Sequence, residues 1–130
     1  RYMVCFRASS GKEIIREGEA GDFMLLVLNG TIEVTKQEGG VPHCVAIVGP
    51  GKTVGEMSLI DGEPRFASCV ALTVLEFAVL DRQNLARLIH EEPRLGVKLM
   101  MELLMLLNQR LRSFGAQLLE CNAARRMRIR

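Results

Sequence analysis

The sequence predicts a mainly β domain that ends in helices, the last of them long. Glycines recur through the first two-thirds of the 130-residue chain. They separate short β-branched or apolar runs spaced about ten residues apart, which is typical of a β-sandwich or barrel. Beyond residue 80, apolar residues recur at helical spacing instead. A chain of this length has room for one domain with one core.

Six runs are the predicted strands of this domain: Glu13–Arg16, Phe23–Asn29, Thr31–Lys36, Cys44–Val48, Ala67–Ala71 and Thr73–Leu80. The dipeptide Asn29-Gly30 joins two of these runs and predicts a tight hairpin. Gly39-Gly40 predicts a second hairpin turn. Polar and apolar residues alternate from position 31 to position 36, which indicates a half-buried strand.

Two helices are predicted after the strands. Asp81 is a suitable N-cap for a helix from Arg82 to about Glu91. Pro93 then opens a second helix at a first-turn position, where its missing N–H costs nothing. This helix extends to about Glu120 or beyond.

The second helix carries two apolar stripes. The first steps by three and four residues and predicts a heptad seam; it comprises Val97, Met100, Leu104, Leu107, Leu111, Phe114, Leu118 and Cys121. The second comprises Leu99, Leu103 and Leu106 and is extended by Arg110. We therefore expect the helix to pack on the β-domain and on a symmetry-related helix, giving a homodimer through residues 93–121. Packing of the seam within one chain is the alternative.

The amino-acid composition excludes few functions, but it indicates the cellular environment in which the protein works. The apolar fraction of 48% and the charged fraction of 25% are ordinary for a soluble protein, and a net charge of +2 does not indicate a nucleic-acid or membrane partner. No apolar run approaches the roughly twenty residues of a membrane span. The four cysteines lack metal-site spacing and are interpreted as small buried thiols in a reducing compartment; they are Cys5, Cys44, Cys69 and Cys121. We expect a cytoplasmic protein, or the cytoplasmic part of a larger one.

The end of the chain is basic. Four arginines crowd its last positions: Arg125, Arg126, Arg128 and Arg130. A solvated helix end explains them, and a phosphate-binding arm or a link to a further domain is the alternative.

The segment from Gly55 to Ser68 carries most of the functional argument. It places Glu56 after a glycine and places Arg65 nine residues later, after a Gly-Glu-Pro turn. A guanidinium can hold a phosphate diester with two parallel hydrogen bonds, and a carboxylate can accept from a ribose hydroxyl. One helical turn from Glu56 to Leu59 would point further N–H groups at the anion, and Gly55 would allow close approach. The alternative is a surface loop with an ordinary Glu–Arg pair.

This segment resembles the phosphate-binding cassette of cyclic-nucleotide-binding domains, which occur in the catabolite activator protein family, protein kinase regulatory subunits and cyclic-nucleotide-gated channels. The matching residues are Gly55, Glu56, Leu59, Pro64, Arg65, Ala67 and Ser68. The glycine-punctuated strands upstream and the two helices downstream resemble the family as well. The resemblance implies an antiparallel β-roll (a double-stranded, jelly-roll-like β-helix) over residues 1–80, with the cassette at 55–68. Lid and dimerisation helices at 81–130 would complete one cyclic-nucleotide-binding domain.

The same resemblance implies roles for individual residues. Glu56 would bind the ribose 2′-hydroxyl, and Arg65 would bind the cyclic phosphate. The backbone N–H groups near Met57, Ser58 and Ala67 would assist Arg65, Gly55 and Leu59 would complete the cassette, and Arg110 is the candidate for the purine contact. Phe66 stands where many members have Ser, Thr or Ala. It cannot supply the hydroxyl that often contacts a guanine, so cAMP is favoured over cGMP as the ligand.

The sequence thus predicts a non-enzymatic regulatory domain that binds cAMP and transmits binding through its C-terminal helix, without a cofactor or metal. One alternative is a degenerate dimerisation module that binds no ligand. Another is the sensor part of a longer transcription regulator or channel. Because no helix-turn-helix follows the long helix, we expect this segment itself to bind no nucleic acid. A metal-dependent enzyme on a similar barrel would need clustered histidines, and the only histidines are His43 and His90.

Overall fold

The protein is described by a computed structural model, which covers the backbone of residues 1–129 and the side chains of residues 1–120. The seam position Cys121 and the terminal arginines lie outside the described side chains. The chain divides into two compact units, residues 1–91 and a second unit that begins at Glu92.

The first unit contains eight strands and two helices. The strands are β1 (Val4–Ala8), β2 (Glu13–Ile15), β3 (Phe23–Asn29), β4 (Ile32–Glu38), β5 (Val41–Val48), β6 (Thr53–Val54), β7 (Ser68–Ala71) and β8 (Leu75–Asp81). The helices are α1 (Glu56–Asp61) and α2 (Arg82–Glu91). The predicted fold class is confirmed: antiparallel strands form a roll of two sheets, and helices follow.

The two sheets interleave along the chain. One has the strand order β1-β8-β3-β6 and the other the order β2-β7-β4-β5. The Gly39-Gly40 hairpin is confirmed, because β4 and β5 pair from Ile32↔Val48 to Glu38↔Val41. Both sheets contribute to one apolar core, whose most buried members are Leu25, Val27, Ile32 and Leu75.

The predicted hairpin at Asn29-Gly30 is wrong. Gly30 does take the positive φ of 94° that such a turn uses, but the strands on either side of it enter different sheets. Ile32 pairs with Ala71 of β7 and Val48 of β5, so long-range pairing overrides the local turn signal. Two strands were also not predicted: β1, and the two-residue β6.

The prediction for α2 is confirmed, including its cap. The Asp81 carboxylate accepts a hydrogen bond from the backbone N–H of Asn84 at 2.7 Å. Leu85 and Leu88 form its buried side.

The second unit is the long helix α3 (Pro93–Ile129). Among its described side chains Leu103 is buried, whereas the seam residues Val97, Leu104, Leu111 and Phe114 are all more than half exposed. The helix therefore presents an apolar seam on the surface of the single chain.

Candidate functional site

Arg65 lies near the end of the predicted cassette and is almost completely buried, with 5% of its surface exposed. Its Nη1 donates to the carbonyl of Gly55 at 3.0 Å, and its Nη2 donates to the carbonyl of Phe23 at 2.7 Å. The guanidinium carbon lies 4.4 Å from the centre of the Phe23 ring, within cation–π distance. One side chain thus ties the end of the cassette to its beginning and to the start of β3.

The backbone of Arg65 is anchored in the same way. Its N–H donates to the carbonyl of Glu19 at 2.9 Å, and its carbonyl accepts from the N–H of Gly18 at 2.8 Å. Because both backbone groups of Arg65 are bonded to the loop after β2, its backbone is fixed relative to that loop.

Two glycines make room for the guanidinium. A Cβ built on Gly21 would lie 2.6 Å from both Cζ and Nη2 of Arg65 and would overlap Nε. A Cβ on Gly55 would lie 2.7 Å from Nη1, and Gly55 has a φ of 83°, which L side chains rarely adopt. Any side chain at either position would displace Arg65.

The charge of Arg65 is held in a largely dry setting. Burial lowers the pKa of its guanidinium, and attraction to Cys69 and Asp22 offsets part of that effect. An arginine starts from so high a pKa that it stays protonated at neutral pH. Burial also raises the pKa of the Cys69 thiol to about 11, although Arg65 pulls it the other way. Cys69 is therefore a neutral core thiol at neutral pH. The predicted burial of the cysteines is confirmed for Cys69 but is wrong for Cys5 and Cys44, which are exposed.

Glu56 is the first residue of α1 and is 1% exposed. The predicted helical turn is confirmed and is longer than expected, because it continues to Asp61. Ser58 and Leu59 of this helix are also buried, whereas Met57 is 47% exposed. The segment therefore places the buried carboxylate of Glu56 directly after Gly55. The carbonyl of Gly55 in turn accepts a hydrogen bond from Arg65.

Phe66 directly follows Arg65 and has 59% of its surface exposed. The ammonium of Lys36 stands 4.2 Å from the centre of its ring and donates to the Phe66 carbonyl at 2.8 Å. Lys36 also pairs with Glu17 at 3.4 Å. The residue at which this cassette departs from the family pattern is thus held in place from β4.

The remaining cassette residues complete the segment between α1 and β7. Ala67 is partly buried, and the buried Ser68 accepts a hydrogen bond at its Oγ from the N–H of Glu17 at 2.9 Å. Arg110 lies on α3, in the second unit. The structure thus brings Gly55, Glu56 and Arg65 together, and the purine contact of Arg110 stays a prediction.

Sequence reasoning did not single out Gly21, Phe23 or Arg82 as functional residues. Gly21 and Phe23 surround the Arg65 guanidinium, and Arg82 bonds to α1. The signal of Gly21 and Phe23 was present only as part of the glycine-punctuated early strands, because no short-range spacing connects residues 21–23 to residue 65.

The described residues contain neither a metal site nor a membrane-spanning helix. Within them, no three His, Cys, Asp or Glu side chains lie close enough together to hold a metal ion. No helix among them is long and apolar enough to cross a membrane.

Comparison with known proteins gives a consistent result. Residues 6–92 match the family model of the cyclic nucleotide-binding domain. The "Cyclic AMP receptor protein" of Thermus thermophilus is 37% identical over 84 residues, which are 64% of this chain and 39% of that protein. A "cAMP-dependent protein kinase regulatory subunit" of Yarrowia lipolytica is 42% identical over 80 residues, which are 61% of this chain and 20% of that protein. The chain therefore spans well under half of these relatives.

Two solved structures superpose on a larger share of this chain than the curated relatives match in sequence. A cyclic nucleotide-binding domain from Methylobacillus flagellatus superposes with a TM-score of 0.82 at 43% identity, covering 86% of this chain and 64% of that one. The Thermus thermophilus catabolite activator protein superposes with a TM-score of 0.81 at 34% identity, covering 90% of this chain and 54% of that one.

Proposed function

The chain belongs to the family of cyclic-nucleotide-binding domains, and on that premise we propose that it is a non-enzymatic regulatory domain that binds cAMP through Arg65 and Glu56. The observation that carries the proposal is the caged guanidinium of Arg65. It is 5% exposed and is held by the carbonyls of Gly55 and Phe23, so its direction is set before any ligand arrives. Preorganisation of this kind lowers the entropic cost of binding.

Arg65 is suited to the cyclic phosphate. A guanidinium carries five N–H donors, and the two carbonyl bonds described above use two of them. The others can bond an anion, in a setting where burial strengthens each charge-assisted bond. The backbone N–H groups near Met57, Ser58 and Ala67 would add donors for the same phosphate.

Glu56 is suited to the ribose. Its carboxylate is buried at the start of α1, directly after Gly55, whose carbonyl bonds to Arg65. A carboxylate accepts from a hydroxyl in a short charge-assisted bond. The acceptor and the phosphate clamp therefore belong to one continuous segment, as a ligand with both a sugar and a phosphate requires.

The choice of cAMP rests on Phe66. This side chain has no hydroxyl to offer a guanine, and Lys36 holds it in position. Both curated relatives described above carry cyclic AMP or cAMP in their names. Competition between the two nucleotides is the test. We expect cAMP to displace cGMP, and Phe66→Thr to reduce that preference; a wild-type preference for cGMP would contradict the choice.

Isothermal titration with cAMP tests binding itself. Arg65→Lys keeps a cation but loses the planar fork, and we expect it to weaken affinity roughly 10- to 100-fold, the equivalent of one charge-assisted hydrogen bond. Arg16→Gln is the matched control, because Arg16 is an exposed arginine that pairs with Glu13 of β2 and with Glu19 of the loop that follows. A flat wild-type titration at millimolar cAMP would refute binding and favour the ligand-free dimerisation module.

The exposed seam of α3 supports a homodimer through residues 93–121. Leu104 and Leu111 are 60% and 69% exposed, and such a stripe is stabilised when a second helix covers it. Sedimentation should show a dimer for the wild type and a monomer for Leu104→Glu. Leu95→Glu is the control, because Leu95 is 49% exposed on the opposite side of the same helix. A monomeric wild type, or loss of the dimer in both variants, would contradict the seam.

The same helix, α3, is proposed to transmit nucleotide binding. A nucleotide that binds one arrangement of α3 more tightly than another increases the population of that arrangement. The change would alter how the apolar seam of α3 is exposed to a partner. The chain would serve as the sensor part of a longer transcription regulator or channel. A cytoplasmic location is part of the proposal, supported by Cys5, Cys44 and Cys69, which are free thiols.

A further inference from the structure

Arg82 connects the start of α2 to the end of α1. Its Nε donates to the carbonyl of Leu59 at 3.1 Å. Its Nη2 donates to the same carbonyl at 3.0 Å and to the carbonyl of Ser58 at 3.1 Å. Its backbone N–H bonds the carbonyl of Asp22 at 2.8 Å. One residue thus joins α2 to α1 and to the loop before β3.

These contacts bond carbonyl groups at the end of α1, a helix that is too short to be stable on its own. α1 has six residues, and isolated helices of that length do not form in water. The last carbonyls of a helix have no partner within it, and a cation near them also interacts favourably with the helix dipole. Gly62 bonds Ser58 through its backbone N–H at 2.9 Å, and Arg82 supplies the side-chain cap.

The opposite end of α1 carries Glu56. Because α1 has fewer than two turns, a shift of its last residues moves its first residue as well. Glu56 is 1% exposed, so small displacements of the helix change the surroundings of its carboxylate. The side-chain hydrogen bonds of Arg82 go to Ser58 and Leu59, so the effect of its guanidinium on Glu56 passes through α1.

We propose that Arg82 is a positioning residue for nucleotide binding, which fixes α1 and therefore Glu56 and makes nucleotide affinity depend on the placement of α2. This inference rests on the proposed function. Linkage makes the coupling reciprocal, so a nucleotide that orders α1 also tightens the hold of α1 on α2.

The test compares Arg82→Gln with Arg87→Gln. Both remove a guanidinium from α2, but that of Arg87 pairs with Glu91 and Asn84 on its own helix. Hydrogen exchange of the α1 amides without ligand should accelerate roughly 5- to 30-fold in Arg82→Gln, and cAMP affinity should fall by up to the same factor. Arg82→Lys retains a donor for the carbonyl of Leu59 and should restore part of both.

A purely structural role for Arg82 predicts a different pattern. It would accelerate exchange in β3 and β8 as much as in α1 and would lower the urea midpoint, and that result would overturn the proposal. Equal cAMP affinity in Arg82→Gln and Arg87→Gln would also overturn it. If Arg82→Gln does not fold, the same comparison is made with Arg82→Lys. Absence of wild-type binding refutes the proposed function instead, so the two failures are distinguishable.

Discussion

Replacing Gly21 with alanine tests the caging of Arg65 without touching a ligand-binding residue. The added Cβ would lie 2.6 Å from Cζ and Nη2 of a guanidinium that two carbonyls hold. Arg65 must then move and lose at least one of its charge-assisted hydrogen bonds, each worth about 1.5–3 kcal/mol. Alanine also lowers the entropy of the unfolded chain, which returns about 0.4–1 kcal/mol. We therefore expect a net loss of about 1–2 kcal/mol in stability.

Gly49→Ala is the matched control. Neither Gly21 nor Gly49 has a positive φ, so alanine strains the backbone of neither. A Cβ on Gly49 would meet nothing within 4 Å, and only the entropy effect remains there. The difference between the two variants therefore isolates the steric effect on Arg65.

Two assays measure this difference. Urea unfolding gives the stability of each variant, and titration with cAMP gives its affinity, which we expect to fall roughly 10- to 30-fold in Gly21→Ala relative to Gly49→Ala. If both variants bind cAMP equally and unfold at the same urea concentration, the guanidinium has room to move and the caging argument is wrong.

Three further predictions concern single contacts. The pKa of the Cys69 thiol is raised from 9.0 to about 11, so its protonated form stabilises the fold below pH 9; that contribution, roughly 2–3 kcal/mol, should be lost as the pH rises through 11. A double-mutant cycle between Lys36→Met and Phe66→Ala should give a coupling of about 0.5–1 kcal/mol, because the ammonium lies over the ring. Asp81→Ala should lower stability to urea by about 0.5–2 kcal/mol, because the carboxylate caps α2 at Asn84.

Each of these has a clear contrary outcome. Cys69→Ala should flatten the stability profile between pH 9 and pH 11, and an unchanged slope would show that another group titrates there. Additive effects in the Lys36 and Phe66 cycle would mean that the contact contributes nothing. A Gln83→Ala variant, altered at an exposed position of α2 that caps nothing, should leave the urea midpoint unchanged, and a loss equal to that of Asp81→Ala would contradict the cap.

Local sequence rules predicted the elements that local forces determine. The cap at Asp81 and the Gly39-Gly40 hairpin are fixed by residues a few positions apart, and both were predicted correctly. Asn29-Gly30 carries the same kind of signal, but its flanking strands pair with β7 and β8, whose paired residues lie 33 to 58 positions further along the chain, so the local rule failed. Pairing partners at that distance leave no spacing pattern in a single sequence.

The residues of the candidate site also fall into two groups, those that are close in sequence and those that the fold brings together. Gly55, Glu56 and Arg65 form one short segment whose chemistry is legible from the sequence. Gly21 and Phe23 come to Arg65 through the fold, and Arg82 comes to α1 through the end of β8. The cassette segment was therefore predictable and the residues that hold it in place were not, whereas the ligand contacts themselves stay a prediction.

The interleaved sheets have a consequence for how the chain is made. β8 lies between β1 and β3 in one sheet, and β7 lies between β2 and β4 in the other, so the last strands to leave the ribosome are interior strands of both sheets. Before they emerge, the nascent chain can complete only the hairpin of β4 with β5 and the short pairing of β3 with β6. Because interior pairings so distant in sequence are slow to form, the roll closes only after translation has passed residue 81. A ribosome paused just after Ser68 would therefore have synthesised the complete cassette before the interior strands β7 and β8 exist to support it.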